Sequence, residues 1–151
     1  MKNRKILVVD REKEFLADME KVIKRLGHEA QCVLMLSHSL EVAARTEPDI
    51  IIVNTEMPDG SGIEALSQLI QIPSTPEIIV ISDSGDADQA ELAIRSGAWD
   101  YIEKPRTRKA MTLPLVRALE YRARKAPSRQ SMGLKKETYQ EIAGSSPRLK
   151  S

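Results

Sequence analysis

Six polar side chains stand where short apolar runs end, and their types point to chemistry on an oxyanion. Asp10 and Arg11 follow ILVV, Asn54 and Glu56 follow DIIIV, Ser82 follows EIIVI, and Lys104 follows DYIE. A hydroxyl and an ammonium are donors suited to phosphoryl or carboxylate oxygens. Carboxylates grouped at the same place would recruit a divalent cation, and one of them could act as nucleophile. That second half of the chemistry is damaged here. In the segment DIIIVNTEMPDGSG, Asn54 occupies the tip position where many α/β proteins keep a reactive carboxylate. An amide is a poor nucleophile toward phosphorus and forms no acyl phosphate, so phosphoryl transfer at Asn54 should be abolished. Asp10, Arg11 and Asn54 carry formal charges of −1, +1 and 0, and Lys104 adds another positive charge. Mg²⁺ binding is therefore expected to be lost or weak, with Asp10 and Glu56 the pair left for a metal if any binds.

The elements that position these residues follow from periodicity. Lys5–Val9, Asp49–Val53 and Glu77–Ile81 are β-branched runs of strand length, the pattern of strands buried on both faces of a parallel sheet. Weaker strands are expected near 30–34 and 99–102. Between them lie amphipathic stretches. Phe15, Met19, Val22, Ile23 and Leu26 recur at helical spacing, with Gly27 as the stop. Further helices are expected over 39–45, 62–70, 88–96 (with Gly97 after it) and 112–125, the last with Pro114 in its first turn. Five such units make an α/β, flavodoxin-like, doubly wound five-stranded parallel sheet with five helices. Its reactive crevice lies beyond the carboxyl ends of the strands, where the six residues would meet.

Composition narrows the classes. The 151 residues, 41% hydrophobic and 30% charged, fit one domain of about 100 to 150 residues plus a tail. Cys32 is the sole cysteine, so no internal disulfide or zinc cluster is available, and a reducing, cytoplasmic setting fits. The basic start MKNRK is followed by only four apolar residues before Asp10, far short of the roughly 18 a membrane span needs, and no membrane partner is expected. GxGxxG and GxxxxGK[ST] phosphate loops are absent. His28 and His38 lack partners at metal or triad spacing and read as surface histidines. Asp83, Asp86 and Asp88 lack the glycine and distal glutamate of a calcium loop and read as a helix-initiating cluster.

Charge is unevenly spread. Residues 1–103 hold 19 Asp and Glu against 10 Lys and Arg, whereas residues 104–151 hold 3 against 13. The basic part has no interleaved aromatics or reading helix, which weighs against direct nucleic-acid binding.

The run ILVVD, the turn MPDGSG, the hydroxyl residue ending the fourth strand and GAWDYIEKP (Gly97–Pro105) resemble, in order and spacing, the receiver domain of two-component response regulators, over about residues 4–122. The resemblance implies a fold and a set of roles. In that family an Asp at the third strand tip accepts a phosphoryl group from a histidine kinase. Mg²⁺ is held there by this Asp, by one of an acidic pair after the first strand, and by a backbone carbonyl. By resemblance Ser82 and Lys104 are the phosphoryl-contacting hydroxyl and ammonium, Tyr101 is the switch aromatic, and Lys104-Pro105 is a dipeptide that is usually cis. Asp10 matches the first of the acidic pair. Arg11 replaces the second and Asn54 replaces the acceptor, so the chain resembles a degenerate receiver.

The expected organisation is a receiver-like domain over 1–125, then a basic linker and the start of a following domain over 126–151. Leu115, Val116 and Leu119 should face the sheet, with Arg117, Arg122, Arg124 and Lys125 outward. The family's surface of fourth helix, fifth strand and fifth helix commonly pairs two receivers, which implies a homodimer. YQEIAGSSPRLKS (Tyr139–Ser151) resembles the entry into the ATPase domain of nitrogen-regulatory-type, enhancer-binding transcription activators. The reading is a non-enzymatic signalling domain that acts on its own downstream output module or another regulator. Two alternatives stand beside it. Asn54 could be an engineered replacement in a working receiver, which Arg11 argues against, or the chain could be a stand-alone flavodoxin-like ligand-binding protein.

Overall fold

The protein is described by a computed structural model that covers residues 3–125. Strands β1 (Lys5–Val9), β2 (Glu29–Val33), β3 (Ile50–Asn54), β6 (Glu77–Ser82) and β7 (Asp100–Glu103) form one parallel sheet in the order β2-β1-β3-β6-β7. A two-stranded hairpin, β4 (Glu56–Met57) with β5 (Gly60–Ser61), projects from the end of β3. Helices α1 (Lys13–Arg25), α2 (Leu36–Thr46), α3 (Leu66–Leu69) and α4 (Ala87–Arg95) alternate with the strands. A 3₁₀ turn (Arg108–Met111) leads into α5, whose described part runs over 112–125. The chain divides into two compact units, Met1–Ala118 and Leu119–Ser151. The expected linker over 126–151 lies outside the described residues, as does the segment that resembles an ATPase entry.

The sheet forms where the apolar runs predict, within one residue at each boundary. The three central strands are buried throughout, save the exposed Lys5 that opens β1, because their runs are apolar on both faces of the pleat. Leu7, Val9, Ile51, Val53, Ile78 and Val80 join a core with residues of α2, α3 and α4. Their alternates, such as Ile6, Ile50, Ile52 and Ile79, point to the opposite face and are equally buried.

Three departures from the expected elements have physical causes. Helix α2 begins at Leu36 rather than Ser39, because the Asp59 carboxylate accepts from the N–H groups of Leu36 (2.9 Å) and Ser37 (3.0 Å). This cap comes from the hairpin and not from the helix's own flank, and the two N–H groups hold the Asp59 carboxyl below its ordinary pKa. Helix α3 shrinks to Leu66–Leu69, since residues just before it make i→i−3 bonds such as Leu66 N–H to Ile63 O (3.1 Å). No peptide bond among the described residues is cis, so Lys104-Pro105 is trans, the form an X–Pro bond favours by about 0.5–1 kcal/mol. On α5, Leu115 and Leu119 are buried as expected, but Arg122 is only 3% exposed and does not lie outward.

Gly62 fixes the approach of the hairpin to the strand tip. Its N–H donates to Thr55 O (3.0 Å), and a Cβ at this position would stand 2.1 Å from Asn54 O. Only a residue without a side chain lets the chain turn this close to β3.

Candidate functional site

Parallel register brings the strand tips together. Val9 pairs with Val53, so Asp10 and Asn54 leave the sheet side by side, and Ser82 pairs with Glu103, so Lys104 emerges beside them. Asp10 and Asn54 are both fully buried. Asn54 Nδ2 donates to Asp10 Oδ2 at 3.0 Å, while Asn54 Oδ1 accepts from the Glu56 N–H at 2.9 Å. The amide thus has its nitrogen on a carboxylate and its oxygen on a peptide N–H. Asp10 Oδ1 also accepts from the Glu12 N–H at 2.8 Å, and Lys104 Nζ lies 3.1 Å from both Asp10 oxygens.

Lys104 is the internal cation of this pocket. Its side chain is 8% exposed and also contacts the Glu12 carboxylate, with Asp83 Oδ1 at 3.7 Å. The Phe15 ring lies beneath the ammonium, 4.4 Å from Nζ to centroid. Burial by itself lowers the Lys104 pKa, but Glu12, Asp10 and Asp83 outweigh it and hold the group above its ordinary value. In the sequence Glu12 follows the first strand with Asp10 and Arg11, and Phe15 reads as a packing residue of the first helix, with no contact to Lys104 expected of either. They reach Lys104 because α1 starts immediately past β1 and turns its first residues over the crevice.

Arg11 lies elsewhere than over Asp10. Its guanidinium pairs with Asp83 Oδ2 (3.2 Å) and Glu56 Oε1 (3.4 Å) at a side-chain exposure of 44%, bridging the segments that follow β6 and β3. It pairs with Glu56 and not with Asp10, which is already engaged by Lys104 and Asn54. Ser82 is buried, and its Oγ accepts from the N–H groups of Ser84 and Gly85 at 3.2 Å each and shares a 3.3 Å bond with Ser84 Oγ. The hydroxyl is therefore engaged by its own turn. Tyr101 packs its ring against the core, with its hydroxyl enclosed and without a hydrogen-bond partner among the described residues.

The structure joins Asp10, Asn54 and Lys104 directly, ties Glu56 to them through its backbone, sets Arg11 at the rim, and leaves Ser82 and Tyr101 as neighbours. Two other readings are resolved. Asp86 caps α4 by accepting from the Asp88 N–H at 2.8 Å, as a helix-initiating cluster should. His28 is not a surface residue: it is 6% exposed, and its Nδ1 accepts from the Arg4 N–H at 3.0 Å. Burial, with Arg4 beside it, lowers its pKa. Among the described residues no group of three or more His, Cys, Asp or Glu could hold a metal ion, and no helix is long and apolar enough to cross a membrane.

Comparison with known proteins bears on the family and the fold. The family model for the response regulator receiver domain matches residues 6–115. The chain is similar to the regulatory protein AtoC of Escherichia coli, 27% identical over 121 residues, covering 80% of this chain and 26% of AtoC. It is also similar to the response regulator protein PilR of Pseudomonas aeruginosa, 29% identical over 106 residues, covering 70% of this chain and 24% of PilR. The chain thus spans about a quarter of the length of each. Among solved structures, NtrX from Brucella abortus aligns with a TM-score of 0.77 at 25% identity, over 85% of this chain and 29% of that one.

Proposed function

The chain belongs to the response regulator receiver domain family, a signalling module of two-component systems, and from that premise we propose that it is a receiver that works without aspartyl phosphate. The observation that carries the reading is the Asn54 amide, engaged on both sides by Asp10 and the Glu56 N–H. The group at the acceptor position builds the pocket instead of reacting in it.

The residues present do not fit a divalent cation. Asp10, the buried carboxylate of this pocket, accepts from an amide and an ammonium, the next residue is a cation turned to the rim, and Lys104 stands beside both Asp10 oxygens. In this reading Lys104 takes the place of Mg²⁺ in neutralising Asp10, and the Arg11 bridge holds the two loops at the mouth in one arrangement. The output is a protein-protein interaction, with the chain's own downstream module, another regulator or a second copy, and not catalysis. Tyr101 reports the state of that surface, and the setting is cytoplasmic. Lengths support an output module beyond the receiver: the matched part is about a quarter of AtoC and PilR, both of which are regulators by name.

The test is incubation of the purified chain with acetyl phosphate and Mg²⁺, followed by intact mass measurement. No phosphoryl adduct is expected on the chain as it stands. The double variant Asn54→Asp with Arg11→Asp should gain one. An adduct on Asn54 itself would remove the proposal.

A further inference from the structure

A cleft of about 440 Å³ opens between the later turns of α1 and the residues that follow β7. Its walls carry Lys21, Arg25, Arg108 and Lys109 against a single carboxylate, Asp18, an excess of three positive charges. Lys21 and Arg25 come from residues 1–103, which hold 19 Asp and Glu against 10 Lys and Arg, while Arg108 and Lys109 come from the basic part that follows, so the cleft gathers cations from both. Arg108 pairs with Asp18 at 3.4 Å, while Lys21, Arg25 and Lys109 have no ion-pair partner among the described residues. Arg25 is partly accounted for by its place in the last turn of α1, where a cation complements the helix dipole. Lys21 and Lys109 have no such account. Val22 and Leu26 add apolar wall, Thr107 and Thr112 add hydroxyls, and the volume falls within the range of about 300–1,000 Å³ usual for small-molecule sites.

Resting on the reading that Asn54 receives no phosphoryl group, we infer that this cleft binds a small organic phosphate of the nucleoside diphosphate class and that its occupation is the input to the domain. Two guanidinium groups match phosphate oxygens by paired N–H donors, the two ammonium groups supply point charge, and Val22 with Leu26 receives the organic part. A route to the strand-tip pocket is built in. Asp18, Thr107 and Arg108 also line a second cavity of about 220 Å³ whose other walls include Glu12, Phe15 and Lys104. A phosphate that draws Arg108 from Asp18 alters the wall shared with Lys104.

Titration calorimetry of the full chain with ADP, GDP and inorganic pyrophosphate tests the site, with amide NMR to locate the response. Binding is expected for at least one of the three, weakening with salt. It should fall about tenfold or more in Lys21→Glu with Lys109→Glu and stay unchanged in Lys13→Glu, which lies off the cleft. Lys21→Gln with Lys109→Gln serves as a second pair should the charge-reversed variant unfold, and the same loss is expected. No binding by any probe at millimolar concentration, or equal binding in both pairs and the parent, overturns the site. Binding of a short single-stranded oligonucleotide with none of the three probes overturns it in favour of nucleic acid. Binding without a shift at Glu12 or Lys104 overturns the input role. Phosphoryl incorporation at Asn54 is read by mass alone, so failure of the underlying function is seen separately from failure of the cleft.

Discussion

The strand-tip pocket and the cleft beside α1 both gather charged side chains, and they resolve that charge in opposite ways. At the strand tips Asp10 is out of water and meets an amide, a peptide N–H and an ammonium, and the ammonium in turn meets Glu12, Asp83 and the Phe15 ring. In the cleft four cations face one carboxylate, and three of them lack an ion-pair partner among the described residues. A buried charge without a partner is costly, so the first site must neutralise itself from within the chain. A solvated cation carries little such cost, which leaves the second site free to take its counter-charge from outside.

Substitutions can break or sharpen this contrast. The largest effect is expected for Lys104→Ala, which leaves the buried Asp10 without its cation and should lower unfolding free energy by about 3 kcal/mol in urea titration. Because partners hold the Lys104 pKa above its unfolded value, its contribution is complete below about pH 10 and is lost as pH rises through the folded value. The variant should therefore lose the alkaline part of the stability profile. Asn54→Asp comes next, at about 1 to 2 kcal/mol, since it sets a second carboxylate against Asp10 while Lys104 still screens the pair.

Smaller effects belong to solvated groups. Arg11→Ala should cost less than about 1 kcal/mol, because both of its ion pairs are at the exposed rim. A larger loss would show that the bridge does more than hold the mouth. Lys109→Ala should stay within about 0.5 kcal/mol of the parent, and a clear destabilisation would mean that the cleft cations are structural after all. An acid-side loss belongs to neither region. Burial lowers the His28 pKa, so its stabilising contribution is present above about pH 6.5 and lost as pH falls below it, a component that His28→Gln should remove from the profile.

The legible parts of the site are those fixed by strand ends. Asp10, Asn54 and Lys104 could be grouped from the sequence because each directly follows or ends an apolar run, and a parallel sheet aligns those ends on one edge. The contacts of Glu12 and Phe15 with Lys104 were not legible, because they depend on how the first turn of α1 crosses the crevice. Arg11 shows the same limit: its charge could be read, but its choice of Asp83 as a partner could not. Asp59 capping α2 and the truncation of α3 were hidden for a related reason, since the hairpin supplies the cap across the fold and local propensity carries no trace of it.

By itself the sequence determined the sheet, the order of elements and the amide at position 54, because periodicity and residue type are local properties that burial on both faces turns into strands. Only the tertiary structure decided who neutralises Asp10. That depends on which side chains converge once water is excluded, and in the folded chain Lys104 and Asn54 reach the buried carboxylate while Arg11 stays at the rim.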